Sequence, residues 1–225
     1  MNAAAVDERA LREAVIATAR EMNALGINRG KAGNVSARLR AGAFDGYLIT
    51  PTGMPYAEIA PGDVVALPQD GGADAARGPR LPSSEWRFHR DIYRARPDAG
   101  AIVHTHAPFA TSLACLGRGI PAFHYMVAVA GGKDIRCAPY ATFGTQVLSD
   151  HAVAALEGRT ACLLANHGMI AVGASLPKAL ALAVEVETLA EMYWRALQIG
   201  EPALLPDAEM DVVLARFRTY GQPDA

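Results

Sequence analysis

The chain has 225 residues, enough for one sizeable domain, and at 51% hydrophobic and 20% charged its composition is that of an ordinary globular protein with a real core. A formal net charge of −2 excludes the strongly basic surfaces used on nucleic acid or anionic membranes. The start, Met1-Asn2-Ala3-Ala4-Ala5-Val6-Asp7-Glu8, has neither the basic region nor the apolar core of a signal peptide, and no uninterrupted apolar run approaches a membrane span. Cys115, Cys137 and Cys162 form no close pair, which predicts reduced, buried thiols in a cytoplasmic protein.

From about Asp7 to Leu25 the pattern predicts an amphipathic helix, with Leu11, Val15, Ile16, Ala19 and Met22 at helical spacing and Gly26 as a stop. The glycine-rich Gly30-Lys31-Ala32-Gly33-Asn34 leads into Val35–Leu39, which alternates like a half-buried strand. A turn near Gly42 returns the chain to a partner strand at Tyr47–Thr50, which Pro51-Thr52-Gly53 breaks, and Asp63–Leu67 predicts a third strand. Residues 69–80 read as a surface loop. Pro82-Ser83-Ser84-Glu85 then opens a helix to about Arg96, with serine as N-cap and Pro97 at its end.

Ala101–His106 is a short apolar strand with histidines at i and i+2, followed by a helix over Phe109–Leu116. Residues 120–143 read as irregular. A helix follows near Gly144–Leu156, then strands at Ala161–Ala165 and Met169–Val172 joined by Asn166-His167-Gly168. The helix over Leu176–Leu197 is apolar around most of its circumference, which places it at the centre of the domain or partly in a subunit interface. A last helix near Ala208–Phe217 leads into Thr219-Tyr220-Gly221. With no repeats and no dividing linker, the pattern predicts one α/β or α+β domain over residues 1–225, its core about 8–221.

Chemistry concentrates in the histidines. His104 and His106 alternate onto one strand face, and neutral imidazoles sharing a face suit a divalent metal such as zinc. His167, at a strand end beside a glycine turn, would make a three-histidine site with one open position, the arrangement of a catalytic zinc. Three unrelated polar residues at strand ends remain an equal reading on spacing alone. His89 and His151 read as surface or boundary residues of helices, and His124 is undecided. Glu85, in the first turn of its helix, is a candidate ligand or base, or simply a helix-stabilising acid. Gly33-Asn34, Thr52-Gly53 and Ser83-Ser84 are donor-rich turns that could together cradle a phosphate, though each alone is an ordinary turn or cap.

Eight ordered motifs carry a resemblance across about residues 8–221: Ala32-Gly33-Asn34-Val35-Ser36, Ile49-Thr50-Pro51-Thr52-Gly53, Leu81 to His89, Val103-His104-Thr105-His106, Ile120 to Met126, Cys137 to Thr145, Asn166-His167-Gly168 and Thr219-Tyr220-Gly221. In these the chain resembles the class II aldolase/adducin family. The resemblance implies a single-domain α/β fold with a central, mainly antiparallel sheet flanked by helices in three layers. It implies a zinc-dependent aldolase, one Zn²⁺ per subunit, cleaving a 1-phosphorylated ketose such as L-fuculose 1-phosphate into dihydroxyacetone phosphate and an aldehyde such as L-lactaldehyde.

By the same resemblance His104, His106 and His167 hold the metal, while Glu85 is the acid/base carboxylate and also a metal ligand. Gly33, Asn34, Thr52, Gly53, Ser83 and Ser84 match phosphate-binding turns, and Phe143 lies beside the aldehyde. Tyr125 and Tyr220 match active-site tyrosines, in a site built across the subunit interfaces of a homotetramer. The chemistry implied is a retro-aldol, whose enediolate charge a Lewis-acid cation can stabilise; Tyr125 accepts the hydroxyl proton and Glu85 returns one to carbon. Lys31 departs from the threonine that family members acting on L-fuculose 1-phosphate carry there, and is either a cationic phosphate contact or solvated. Two alternatives remain. An L-ribulose-5-phosphate 4-epimerase-type isomerase carries lysine where this chain has Thr50, and a non-catalytic adducin-like module lacks the metal ligands present here.

Overall fold

The computed structural model describes residues 7–219. In chain order the elements are α1 (Glu8–Ala24), β1 (Asn34–Ala41), β2 (Phe44–Ile49), β3 (Val65–Pro68), α2 (Trp86–Ala95), β4 (Ala101–Thr105), α3 (Pro108–Cys115), β5 (Arg136–Ala138), α4 (Gln146–Ala155), β6 (Ala161–Leu164), β7 (Gly168–Gly173), α5 (Leu176–Leu197) and α6 (Asp207–Phe217). The strands form one seven-stranded sheet in the order β3-β2-β1-β4-β7-β6-β5. Every pairing is antiparallel except β5 with β6.

Strand alternation sorts the side chains into two cores, one on each face of the sheet. Val35, Ala37, Leu39, Leu48, Ala101, Val103, Met169 and Ala171 pack with α1, α3 and α5. Tyr47, Ile49, Ile102, Cys162, Ile170 and Val172 face the opposite way, toward α2 and α4. The result is the three-layer arrangement of a mainly antiparallel α/β fold. Because β1, β4 and β7 are adjacent and antiparallel, the start of β1, the end of β4 and the start of β7 meet at one edge of the sheet; Asn34 pairs with His104, and Thr105 with Met169. That edge gathers residues distant in sequence.

The structure departs from the sequence reading at several elements. Residues 61–63 form a short 3-10 turn, and β3 starts only at Val65, because Pro61 and Gly62 break the extended run. Residues 120–143 contain a 3-10 helix at Tyr125–Ala130 and β5, which reads as irregular because only three residues pair. Ser83 does not cap α2: Glu85 occupies the N-cap position without capping, and Ser83 Oγ accepts from the Glu85 N–H at 3.3 Å. The thiols are not uniformly buried, since Cys115 is exposed and only Cys162 is fully enclosed.

The wide apolar girth of α5 is absorbed within the domain, where it packs against β4, β7, α1 and α3. Met192 and Trp194 stay partly exposed. Its buried Glu187 accepts from the Phe109 and Ala110 N–H groups, each at 2.8 Å, and so caps α3 just after His106 in place of Ala107, which has no side-chain acceptor.

Candidate metal centre and active site

His104, on the central strand, points to the α2 face of the sheet, fully buried and edge-on to Phe88. His106 follows the end of β4, and His167 sits in the tight turn from β6 to β7, where Asn166 takes a positive φ of 54° and the His167 N–H donates to Leu164 O at 3.1 Å. The three imidazoles stand edge to face with centroids 4.8–5.1 Å apart, and one ligating nitrogen from each lies within 4.8 Å of the others. Two glycines permit this approach. A Cβ on Gly33 would overlap the His104 carbonyl oxygen, and one on Gly168 would lie 2.9 Å from the His106 ring.

Hydrogen-bond logic shows what the cluster accepts. His104 Nδ1 lies 2.9 Å from Met169 O, which can only accept, so Nδ1 carries the proton and Nε2 of the neutral ring is a lone pair. That lone pair faces Glu85 Oε2 at 3.0 Å, while Glu85 Oε1 lies 3.1 Å from His167 Nε2. Glu85 Oε1, His104 Nε2 and His106 Nε2 are buried atoms with no hydrogen-bond partner among the described residues. A carboxylate and three imidazole nitrogens converging in a largely buried place are matched by a shared cation, either a proton on His104 Nε2 or a metal ion. Burial opposes charge on both Glu85 and His104, yet their attraction wins, holding the Glu85 carboxyl well below the usual carboxylate range and raising His104. Burial and the neighbouring His104 and His167 push His106 down to about 4, which keeps it a neutral, ligand-ready imidazole at pH 7. The residues therefore fit a metal ion, with three histidine nitrogens and a carboxylate able to hold it.

The donor-rich turns meet at the same edge. Thr50 N–H donates to Val35 O at 3.1 Å, and Thr52 and Ser83 N–H groups join the 50–52 and 81–83 segments at 3.1 Å each. Lys31 Nζ donates to Gly53 O at 2.9 Å, and the Tyr56 hydroxyl to Gly33 O. Thus Gly33, Thr52, Gly53, Ser83 and Ser84 are brought together beside the histidines. Thr50 itself is buried, its hydroxyl accepting from Val35 N–H at 3.3 Å.

A cavity of about 280 Å³ opens over the cluster, lined by Ala32, Ser84, Glu85, His106, Tyr140, Ala141, Phe143, Asn166 and His167. It joins the histidine cluster and Glu85 to Phe143, and adds Tyr140 and Asn166, which no motif reasoning singled out although both sit within matched segments. Within this chain Tyr125 is elsewhere, lining a separate hollow with Met126, Val213, Arg216, Phe217 and Thr219. Tyr220 lies outside the described residues.

Asn34 and His89 are the residues whose surroundings differ most from the sequence expectation. The Asn34 amide is buried and donates from Nδ2 to Glu85 Oε2 at 3.0 Å, while its Oδ1 meets His89 Nε2. His89 is not at the surface: it is fully buried between α2 and β1, with Nδ1 2.7 Å from Ser36 Oγ. The polar side of β1 faces α2 rather than solvent, so a strand alternating like a half-buried one is covered on both faces. Four-residue steps on α2 put Glu85, His89 and Tyr93 on one side, a pattern that could have flagged the buried histidine. Among the described residues no helix is long and apolar enough to cross a membrane.

The comparisons with known proteins agree with this geometry. Residues 13–194 match the family model of the class II aldolase and adducin N-terminal domain. The chain is 62% identical over 212 residues to a 5-methylthioribulose-1-phosphate/5-deoxyribulose-1-phosphate aldolase of Rhodospirillum rubrum, covering 94% of this chain and 93% of that protein. It is 52% identical over 208 residues to an L-fuculose phosphate aldolase of Escherichia coli K12, covering 92% and 94%. A solved structure of an L-fuculose 1-phosphate aldolase superposes with a TM-score of 0.86 at 41% identity, covering 93% of this chain and 96% of that one. The chain belongs to the class II aldolase and adducin N-terminal domain family.

Proposed function

We propose that the protein is a zinc-dependent aldolase cleaving a 1-phosphorylated ketose into dihydroxyacetone phosphate and a short aldehyde. The observation that carries this reading is the largely buried set of Glu85, His104, His106 and His167, a carboxylate and three imidazole nitrogens converging at the floor of a cavity beside three turns. An adducin-like interaction module would have no use for it. The higher identity to the aldolase named for 5-methylthioribulose 1-phosphate and 5-deoxyribulose 1-phosphate favours those substrates. L-Fuculose 1-phosphate is the second reading, favoured by the relatives named for it. Cleavage between C3 and C4 gives the same phosphorylated triose from all three, so only the aldehyde differs. The apolar rings of Tyr140 and Phe143 suit an aldehyde end that carries a methyl or methylthio group.

When bound, a divalent cation supplies Lewis-acid stabilisation of the charge that develops on the triose oxygens. The chain's own groups do the rest. The turns at Gly33, Thr52-Gly53 and Ser83-Ser84 hold the phosphate, and Lys31 is close enough to Gly53 to add charge there. Glu85, kept ionised, is the base that exchanges a proton with the triose carbon. Tyr125 is assigned to the hydroxyl proton, supplied by a neighbouring copy in a homotetramer, since in its own chain it lines a different hollow.

The test is a panel of 1-phosphorylated ketoses assayed for dihydroxyacetone phosphate with and without chelator. Release from 5-methylthioribulose 1-phosphate or 5-deoxyribulose 1-phosphate with higher kcat/KM than from L-fuculose 1-phosphate supports the first reading. The reverse order favours the second. Release from none, with epimerisation of a ketose 5-phosphate instead, removes the aldolase assignment.

A further inference from the structure

Behind Glu85, on the side away from the cavity, β1 and α2 interlock through an alternating series of polar side chains. Asn34 and Ser36 project from one face of β1, two residues apart. Glu85, His89 and Tyr93 follow one side of α2 at four-residue steps. The contacts run Glu85 Oε2 to Asn34 Nδ2 at 3.0 Å, Asn34 Oδ1 to His89 Nε2, His89 Nδ1 to Ser36 Oγ at 2.7 Å, and Ser36 Oγ to the Tyr93 hydroxyl at 2.8 Å. Asn34, Ser36, His89 and Tyr93 are all buried.

The proton positions along this series follow from its end. An ionised carboxylate only accepts, so Asn34 must present its NH₂ to Glu85 and its oxygen to His89. An amide oxygen only accepts, so His89 Nε2 carries the hydrogen. A neutral imidazole then has its lone pair on Nδ1, Ser36 must donate to it, and the Ser36 oxygen accepts from Tyr93. Every hydrogen bond points toward Glu85.

We propose that His89 is a positioning residue, held as the neutral Nε2–H tautomer, which through Asn34 fixes the orientation of the Glu85 carboxylate. With Asn34 locked by its two partners, Oε2 is fixed against His104 and Oε1 is aimed at His167 and the cavity. The role given to Glu85 rests on the proposed aldolase reading; the tautomer and the orientation do not. Removing the His89 N–H leaves the Asn34 oxygen buried without a donor, and the amide is then free to turn over and set an oxygen against the carboxylate.

Two measurements on the full-length, metal-loaded protein test this. Nitrogen-15 NMR of the histidine side chains should show His89 with a protonated Nε2 and an unprotonated Nδ1, and with a slowly exchanging hydrogen; protonation on Nδ1 would overturn the assignment whatever the enzyme's substrate. In steady-state assays, His89→Leu should lower kcat about 10- to 100-fold, the range usual for residues that orient a metal-site ligand. KM should stay within about threefold and the bound metal unchanged, and His89→Gln, whose amide can donate to Asn34 and accept from Ser36, should recover most of the loss. A His89→Leu enzyme with unaltered kcat refutes the positioning role. If His89→Leu fails to fold, Ser36→Ala decides: with Nδ1 unanchored the ring loses its fixed position and kcat should fall several-fold, while Asn34 still demands a proton on Nε2, and a Ser36→Ala protein with the parental kcat, or with the proton moved to Nδ1, counts against the proposal. Absence of any aldolase activity would remove the proposed reaction and leave the NMR result to judge the series of hydrogen bonds on its own.

Discussion

Histidines lie on both sides of Glu85, in opposite states of satisfaction. On the cavity side, His104 and His106 each present a buried Nε2 with no hydrogen-bond partner among the described residues, next to a Glu85 oxygen in the same position. On the α2 side, both ring nitrogens of His89 are matched, by Asn34 and Ser36. Both sides bring imidazole nitrogens toward the same carboxylate, directly from His104 and His167 and through Asn34 from His89. A set that satisfies itself holds something in place, whereas a set that leaves ring nitrogens and a carboxylate oxygen without partners has capacity for a cation.

The largest expected effect comes from breaking the unsatisfied side. His106→Ala removes a ligand without touching the matched series, and should take bound metal far below one per chain and lower cleavage by about a thousandfold, equivalent to roughly 4 kcal/mol of transition-state stabilisation. Metal analysis with a coupled assay for the triose product reads both quantities. Wild-type activity in this variant would mean that the open histidines are not the reactive centre.

Smaller, but still large, is the effect of closing the gap that lets the two sides meet. Because a Cβ at Gly33 would overlap the His104 carbonyl oxygen, Gly33→Ala must push β1 and β4 apart. The cost should be about 1–3 kcal/mol, the usual range for overpacking. Thermal unfolding should show Tm lowered by roughly 3–10 °C, a size effect expected for a chain of this length, with activity falling as well. An unshifted Tm would show that the strands can yield.

The matched side should announce itself in acid. Burial is the main cause that pushes His89 down to about 3 from its ordinary 6.5. The unfolded chain therefore binds a proton at this residue that the folded chain refuses, between pH 6.5 and about 3. Stability from this group is complete above pH 6.5 and is lost as pH falls through that window. Denaturant unfolding at stepped pH should give His89→Gln a shallower loss than wild type across this range. Parallel slopes would mean that His89 takes up its proton in the folded protein.

The smallest effect separates the rim from the floor. Lys31 is exposed and, among the described residues, tied to Gly53 O, so Lys31→Thr should raise KM for the phosphorylated substrate several-fold with kcat little changed. An unaltered KM would assign Lys31 to bracing the turn alone.

The fold was largely legible because hydrophobic periodicity is a local property, and long elements such as α1 and α5 carry it over many residues. The short ones did not: β5 pairs through three residues, too few for alternation to stand out. The three-histidine cluster is legible for a different reason. His104 and His106 are two residues apart on one strand, and His167 stands at a recognisable glycine turn, so spacing and motif agreed. His89 reads as a surface residue because a charged helix, with Arg87, Arg90, Asp91 and Arg94 around it, looks solvated from its own sequence. Only tertiary structure reveals that the other side of α2 lies on the polar face of β1. Asn34 resembled a turn residue for the same reason, and its amide turns inward because the carboxylate of Glu85, 51 positions away, is waiting there.

On the proposed reading, the groups around Glu85 hold a catalytic cation. The most direct test of that reading is to strip the protein with chelator and titrate zinc back, while following release of dihydroxyacetone phosphate from 5-methylthioribulose 1-phosphate, 5-deoxyribulose 1-phosphate and L-fuculose 1-phosphate. Activity should vanish in the stripped protein and return in proportion to zinc, saturating near one equivalent per chain. Full cleavage by the stripped protein, or zinc bound at one equivalent with no cleavage of any of the three, would contradict it.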